Sequence, residues 1–303
     1  MALDTRRVSP QGSGRTPARP PVQPVARKRR RDRTRSVLNV VAIVFALIWV
    51  FPIYWMINTA FKTANDYQTF TPSFVPRHPT FGNFTSAIHV LNFGDDLRNS
   101  LILTISAVIF SIFFGFMGAL AIARFRFAGR KIFIFVVMIV QMLPMAVMIV
   151  PMYRILSDLN MTDSLTGVIV VYIGLILPYT VWTLRGFIIN VPRELDEAAL
   201  VDGCSRWQTF YRIILPLVGP GLVATSVFGF IQIWNEWLVI ATVNHANDKG
   251  NLMVWLVNQS SLRGTAWGPM MAGAILTSIP VVILFLAIQR HIATGLTAGA
   301  VKG

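Results

Sequence analysis

The chain has 303 residues, of which 54% are hydrophobic and 13% charged, with a mean hydropathy of +0.59. Those values exclude an ordinary soluble globular domain and describe a polytopic membrane protein. The net charge of +14 raises nucleic acid as a partner, but eleven of the 27 Lys+Arg fall in the first 35 residues.

In chain order, the first element is a basic tail, residues 1–36, with the dense run Arg27-Lys28-Arg29-Arg30-Arg31 directly before an apolar segment. That is where a cytoplasmic topogenic signal belongs. The tail reads as disordered and orientation-setting, with anionic lipid or nucleic acid as lesser alternatives; no nucleic acid is expected among the partners. Six runs then approach the ~20 residues needed to cross a bilayer: 37–61, 99–123, 131–153, 166–190, 219–243 and 268–290. The first is too long for the apolar region of a signal peptide and no small-residue cleavage site follows, so it reads as a retained span. Segment 62–98 is punctuated by Pro72, Pro76 and Pro79 and carries Tyr67, Phe70, Phe74, Phe81 and Phe84. It and the polar 244–267 segment read as caps for an external partner or as loops lying on their own bundle. Pro144 and Pro151 interrupt span three, Pro178 lies in span four and Pro280 in span six, each favouring a kink. Gly115, Gly118 and Ala119, then Ala272, Gly273 and Ala274, permit close helix approach.

With both termini inside, the inner segments and their span ends hold 21 Lys+Arg and the outer segments six. This is the bias of a multi-pass protein of the cytoplasmic membrane with cytoplasmic termini. The long inner segment, 191–218, is polar and helix-forming. Pro192 breaks the chain, and Glu194, Asp196 and Glu197 follow at the positive end of a new helix dipole. Leu195, Ala198, Ala199 and Asp202 share a narrow face. Gly203 supplies a turn residue that tolerates positive φ. Ser205 with Gln208 predicts a capping box opening a second helix, whose apolar face is Trp207, Phe210, Tyr211 and Ile214 and which Pro216 stops. A DNA-reading helix-turn-helix has this outline, but tethering to spans at both ends argues against it.

Glu197-Ala198-Ala199, Gly203, Ile213 and Leu215-Pro216 fill every fixed position of the pattern EAA-x3-G-x9-I-x-LP. The loop thereby resembles that of the inner-membrane permeases of binding-protein-dependent ABC importers. Phe51-Pro52-Ile53-Tyr54-Trp55-Met56 with Phe61-Lys62, the Trp234-Asn235-Glu236-Trp237 run and Gly295–Gly303 are similar to maltose-type carbohydrate permeases, in their smaller, MalG-like subunit. The likeness covers 37–303. It implies an all-α polytopic fold of six transmembrane helices with a cytoplasmic helix-turn-helix coupling loop. It further implies that Glu197, Ala198, Ala199 and Gly203 contact an ATPase while Ile213, Leu215 and Pro216 anchor the second helix. The implied partners are a second permease subunit, a cytoplasmic ATP-binding cassette ATPase dimer, an extracellular solute-binding protein, a carbohydrate substrate and the lipid bilayer.

No G-x-x-x-x-G-K-S/T phosphate loop occurs, so ATP and Mg2+ belong to a partner and this chain is expected to be a non-catalytic pore subunit without a cofactor. Cys204 is the single cysteine, and His78, His89, His245 and His291 show no metal-ligand spacing. Glu236 lies within span five, where a carboxylate is costly and must face a cavity or a partner. It is either structural or pathway-lining, or it relays protons in a secondary sugar transporter or channel, the alternative function. Gln141, Trp234, Asn235 and Glu236 are the candidate pathway residues.

Overall fold

The computed structural model describes residues 27–69, 71–89, 92–245, 249–261 and 264–300. Its helices are α1 (Arg27–Ala60), α2 (Ala64–Tyr67), α3 (Gly82–His89), α4 (Phe93–Arg124), α5 (Arg130–Met142), α6 (Met145–Asp158) and α7 (Leu165–Asn190), followed by α8 (Arg193–Val201) and α9 (Arg206–Thr209). A π-helical turn at Phe210–Ile214 leads into α10 (Leu215–Leu217), and α11 (Gly219–Trp234), α12 (Leu238–Val243), α13 (Leu252–Asn258) and α14 (Trp267–Ala300) complete the chain. A two-residue antiparallel pair, β1 (Ser260–Ser261) with β2 (Gly264–Thr265), is the one small sheet among the described residues.

The fold is all-α and polytopic. Four helices are long and apolar enough to cross a membrane unaided: Arg35–Ala60, Phe93–Arg124, Leu165–Asn190 and Trp267–Gln289. Span three is interrupted at Pro144 as expected but not at Pro151, which stays inside a helix, and span five is broken where no break was expected. Span three is α5 and α6, bent by 105° where Leu143 and Pro144 leave the helix. Pro178 and Pro280, by contrast, stay inside unbroken helices. Span five is α11, a break at residues 235–237, and α12. The basic tail also ends earlier than expected, because α1 is already helical at Arg27; the rest of that tail, 1–26, lies outside the described residues.

Contacts divide the chain between Ile53 and Tyr54. Before that point the apolar side chains of α1, from Val37 to Phe51, are exposed. After it, the core is the close pairing of α4 with α7. A Cβ at Gly115 would collide with the Thr180 side chain, and one at Gly118 would touch Val181 at 3.4 Å. Small residues therefore set the helix separation, as they do where Gly273 admits the Trp255 ring. At 32 residues α4 is about 48 Å long, so it passes through three packing layers. Phe93 joins Ala60, Trp234 and Trp255 at one end, Leu103 and Ala107 meet Tyr172 and Ile240 in the middle, and Phe116 and Ala123 meet Phe210 and Ile214 at the other. Exposed Ile109, Phe113, Phe135, Val147, Ile283 and Phe285 give this bundle the outward apolar surface that lipid requires.

Candidate functional site: the 191–218 loop and the central cavity

Loop geometry follows local sequence closely. Pro192 takes the N-cap of α8, with Glu194 and Asp196 in its first turn. At the other end Gly203 adopts φ +83°, and two capping bonds close the turn: Gly203 N donates to Leu200 O at 3.2 Å and Cys204 N to Ala199 O at 2.9 Å. This double bond pattern needs a left-handed residue at that place. Ser205 and Gln208 form the expected box, Gln208 N donating to Ser205 Oγ at 3.2 Å and Ser205 N to Gln208 Oε1 at 2.7 Å.

The second helix is not a plain amphipathic rod ended by Pro216. It widens into the π turn, continues to Leu217, and meets α11 at 69°. Phe210 and Ile214 are buried against Phe116, Ala119, Leu184 and Ile188, so this helix grips α4 and α7 together. Phe116 and Phe210 meet edge-on at 5.2 Å. Trp207 stacks on Phe210 at 4.9 Å from outside and stays exposed, as does Tyr211.

α8 is held differently. Of its predicted face only Ala199 is buried; Leu195, Ala198 and Asp202 are exposed. Its grip is electrostatic. Arg124, in the last turn of α4, places Nε 3.0 Å from Asp196 Oδ2 and donates from Nη2 to Val191 O at 3.0 Å. Arg193 Nη2 donates to Ala123 O at 3.3 Å. Both cations thus answer carbonyls at helix ends, where the dipole favours positive charge. Burial pushes the Asp196 carboxyl above its ordinary value, while Arg124 and Arg193 pull it back. Glu197, Ala198, Leu200 and the 87% exposed Val201 are left accessible, Glu197 and Leu200 along a groove of about 320 Å3 that they share with Asp196, Arg124, Phe125 and Phe210. A force on these residues reaches α4 through Arg124–Asp196 and α4 and α7 through Phe210 and Ile214.

The second region is a cavity of about 580 Å3 at the breaks of spans three and five. Gln141, Leu143 and Met145 reach it from the first break, and Gln232, Asn235 and Glu236 from the second. Tyr172 and Tyr179 enter from α7, the latter stacked on Phe228 at 3.8 Å. Irregular backbone inside a membrane is tolerated where it lines such a cavity. Glu236 explains the second break. Its Oε1 accepts from Leu238 N at 2.7 Å and Val239 N at 3.0 Å, and its Oε2 accepts from Tyr172 OH at 2.7 Å. The carboxylate caps α12 and ties it to α7. Asn251 Nδ2 fixes the same residue by donating to its carbonyl at 2.7 Å.

Comparison with known proteins decides what this arrangement belongs to. Residues 111–297 match the family described as binding-protein-dependent transport system inner membrane component. The chain belongs to that family. Among similar proteins, the diacetylchitobiose uptake system permease protein DasC of Streptomyces coelicolor is 45% identical, over 88% of this chain and 96% of that one. The trehalose transport system permease protein SugB of Mycobacterium tuberculosis is 30% identical, over 90% and 99%. In fold, the chain resembles a subunit of a bacterial ABC transporter involved in import of the acidic polysaccharide alginate, at TM-score 0.75 and 21% identity, covering 86% of this chain and 97% of that one.

Within this permease the residues singled out from sequence separate into groups. Glu197, Ala198 and Gly203 are exposed on the loop, Ala199 packs inward, Ile213 and Leu215 are partly buried and Pro216 is exposed. Gln141, Asn235 and Glu236 line the cavity. Trp234 does not, which corrects its reading as a pathway residue. It is 2% exposed, donates from Nε1 to Thr277 O at 3.1 Å, and stacks on Phe230 at 5.4 Å. Neighbouring Trp237 lines the cavity instead. Sequence reasoning missed Tyr172, Tyr179 and Gln232. Their signal was visible as polar groups in apolar spans, with Tyr172 and Tyr179 two helical turns apart. Of the C-terminal motif, residues 295–300 continue α14 and 301–303 lie outside the described residues.

Proposed function

We propose that this permease is the pore-forming, non-catalytic subunit of an ATP-driven carbohydrate importer, with both termini in the cytoplasm. It pairs with a second permease subunit to enclose the pathway. A cytoplasmic ATPase dimer, which carries ATP and Mg2+, docks on the accessible face of α8, and an extracellular solute-binding protein delivers the sugar. The observation that carries this reading is the loop itself: an accessible surface of Glu197, Ala198, Leu200 and Val201 on a loop clamped to α4 and α7. Exposed apolar groups beside a carboxylate suit a protein partner. The excess of positive charge on the same side supports a cytoplasmic position.

Carbohydrate as cargo is supported by the similarity to permeases named for diacetylchitobiose and trehalose and by the cavity's chemistry. Tyr172, Tyr179, Phe228 and Trp237 offer ring faces, and Gln141, Gln232 and Asn235 offer paired donors and acceptors for hydroxyls. Transport proceeds by alternating access. ATP binding closes the motor, α8 moves with it, and the ends of α4 and α7 follow. Each ligand drives the change only through its differential affinity for the two states.

The test is Glu197→Lys, measured by co-purification of the ATPase and by ATP-dependent uptake. The variant is expected to insert normally, to lose the ATPase at least tenfold, and to abolish uptake. Undiminished co-purification with substrate-stimulated ATP hydrolysis would overturn the coupling role. Uptake of a radiolabelled sugar panel in cells lacking the native gene tests the cargo.

A further inference from the structure

At the end of the bundle opposite the 191–218 loop, a cleft of about 340 Å3 opens between the last turns of α1, the short α2 and the first turn of α14. Trp55, Tyr67 and Trp267 supply its aromatic faces, and Asp66, Thr59 and Thr69 its polar edge.

The walls are fixed internally. Lys62 is buried; its Nζ donates to Ser73 O at 2.5 Å and lies 4.8 Å over the Trp55 ring, so its charge is engaged inside the wall. Burial pushes this ammonium below its ordinary value. Asn58 Nδ2 donates to the same carbonyl at 3.2 Å. Asn83 Nδ2 clamps Ala60 O at 2.8 Å and Lys62 O at 2.7 Å. A Cβ on Gly268 would come within 2.6 Å of Asn83 Oδ1, so the start of α14 is pressed onto the same clamp.

Inside this frame three polar atoms have no hydrogen-bond partner among the described residues. Asp66 accepts from His78 N at 3.3 Å through Oδ2, while no group among the described residues donates to Oδ1. Tyr67 OH and Trp267 Nε1 likewise make no hydrogen bond among the described residues, and the half-exposed Trp267 indole stacks on no other ring there. Two donors, one carboxylate acceptor and indole faces are thus presented together to a space at the small end of ligand pockets. A purely apolar guest would strip water from Asp66 without replacing it, and an anion would meet a carboxylate.

We infer that this cleft is a saccharide subsite, separate from the central cavity, which holds one neutral sugar ring of the incoming carbohydrate. The ring's C–H face stacks on Trp267 and its hydroxyls bond Asp66 Oδ1, Tyr67 OH and Trp267 Nε1. This rests on the carbohydrate reading above.

Binding is measured on the assembled importer in lipid nanodiscs without its solute-binding protein, and uptake on the same importer in proteoliposomes with that protein supplied. Diacetylchitobiose, trehalose and arabinooligosaccharides serve as probes, with saturation-transfer NMR for contact and radiolabelled uptake for transport. For whichever sugar is taken up, Trp267→Ala and Asp66→Ala are expected to weaken direct binding about tenfold, and Trp267→Phe, which keeps one ring but loses the donor and part of the stacking face, about threefold. Co-purified ATPase verifies that each variant is assembled. Binding that survives Trp267→Ala and Asp66→Ala but is lost in Gln141→Ala would overturn the subsite and leave the carbohydrate reading intact. Failure of every sugar to be transported or bound would overturn both.

Discussion

The 191–218 loop and the central cavity are built in opposite ways. Loop shape comes from neighbours in sequence: Gly203 with Leu200, Cys204 with Ala199, Ser205 with Gln208. Cavity shape comes from distant groups, as where Tyr172 OH reaches Glu236 across 64 positions of chain. The loop is a pre-shaped part whose accessible face is fixed before it meets anything. The cavity exists only where two interrupted spans meet an intact one, so it can change when those spans move. A rigid handle and a deformable chamber are what a force-driven pore requires.

The comparison breaks most readily at Arg124, which joins loop to bundle. Arg124→Ala leaves Asp196 and the Val191 carbonyl without their cation, and we expect a destabilisation of about 2–4 kcal/mol, read from denaturant unfolding. The double variant with Asp196→Ala should cost less than the two single changes summed. Full additivity would mean that the loop is not held through this pair.

Gly203→Val tests the pre-shaped turn. No atom lies within 4 Å of a Cβ there, so the cost is that of a positive φ alone, about 1–2 kcal/mol. ATPase docking and uptake are expected to fall together while the sugar preference stays the same. A changed preference would blur the division between handle and chamber.

On the cavity side, Glu236→Ala removes the α12 cap and should cost about 1–2 kcal/mol. Glu236→Gln keeps an oxygen for Leu238 N and Val239 N, so it should retain most uptake. Loss of uptake in the Gln variant with α12 intact would instead favour the proton-relay role. Trp234→Phe deletes one buried hydrogen bond and leaves a small cavity in place of the lost ring, together worth about 2–3 kcal/mol, and should leave selectivity unchanged.

The smallest effect concerns pH. The Asp196 carboxyl in the folded protein titrates above its ordinary value. Its contribution to stability is therefore complete below the ordinary carboxylate value of about 4 and is lost as pH rises through the folded-state value. Across that window wild type should lose stability relative to Asp196→Asn. Parallel curves for the two proteins would mean that burial of this group is not felt.

Much of this permease was legible in one dimension. Four spans, the turn at Gly203, the box at Ser205 and the inward placement of Phe210 and Ile214 all follow from local signals. The cavity was legible only in part. Gln141, Asn235 and Glu236 stood out because polar groups are costly in lipid, but the same rule did not tell which way Trp234 and Trp237 point. The face of α8 was misjudged for a related reason: a short helix of small residues has no strong apolar stripe, and the Arg124–Asp196 pair orients it instead.

Composition, by itself, determined that the chain crosses a membrane, because the transfer cost of a side chain depends on its kind and not on its neighbours. Capping and turn chemistry, being local, determined the helices of the loop. Only the tertiary structure decided that Pro144 breaks its span while Pro178 and Pro280 do not, and that Glu236 serves as a cap. Those outcomes depend on which remote groups satisfy a freed backbone carbonyl or N–H, and that is settled by packing.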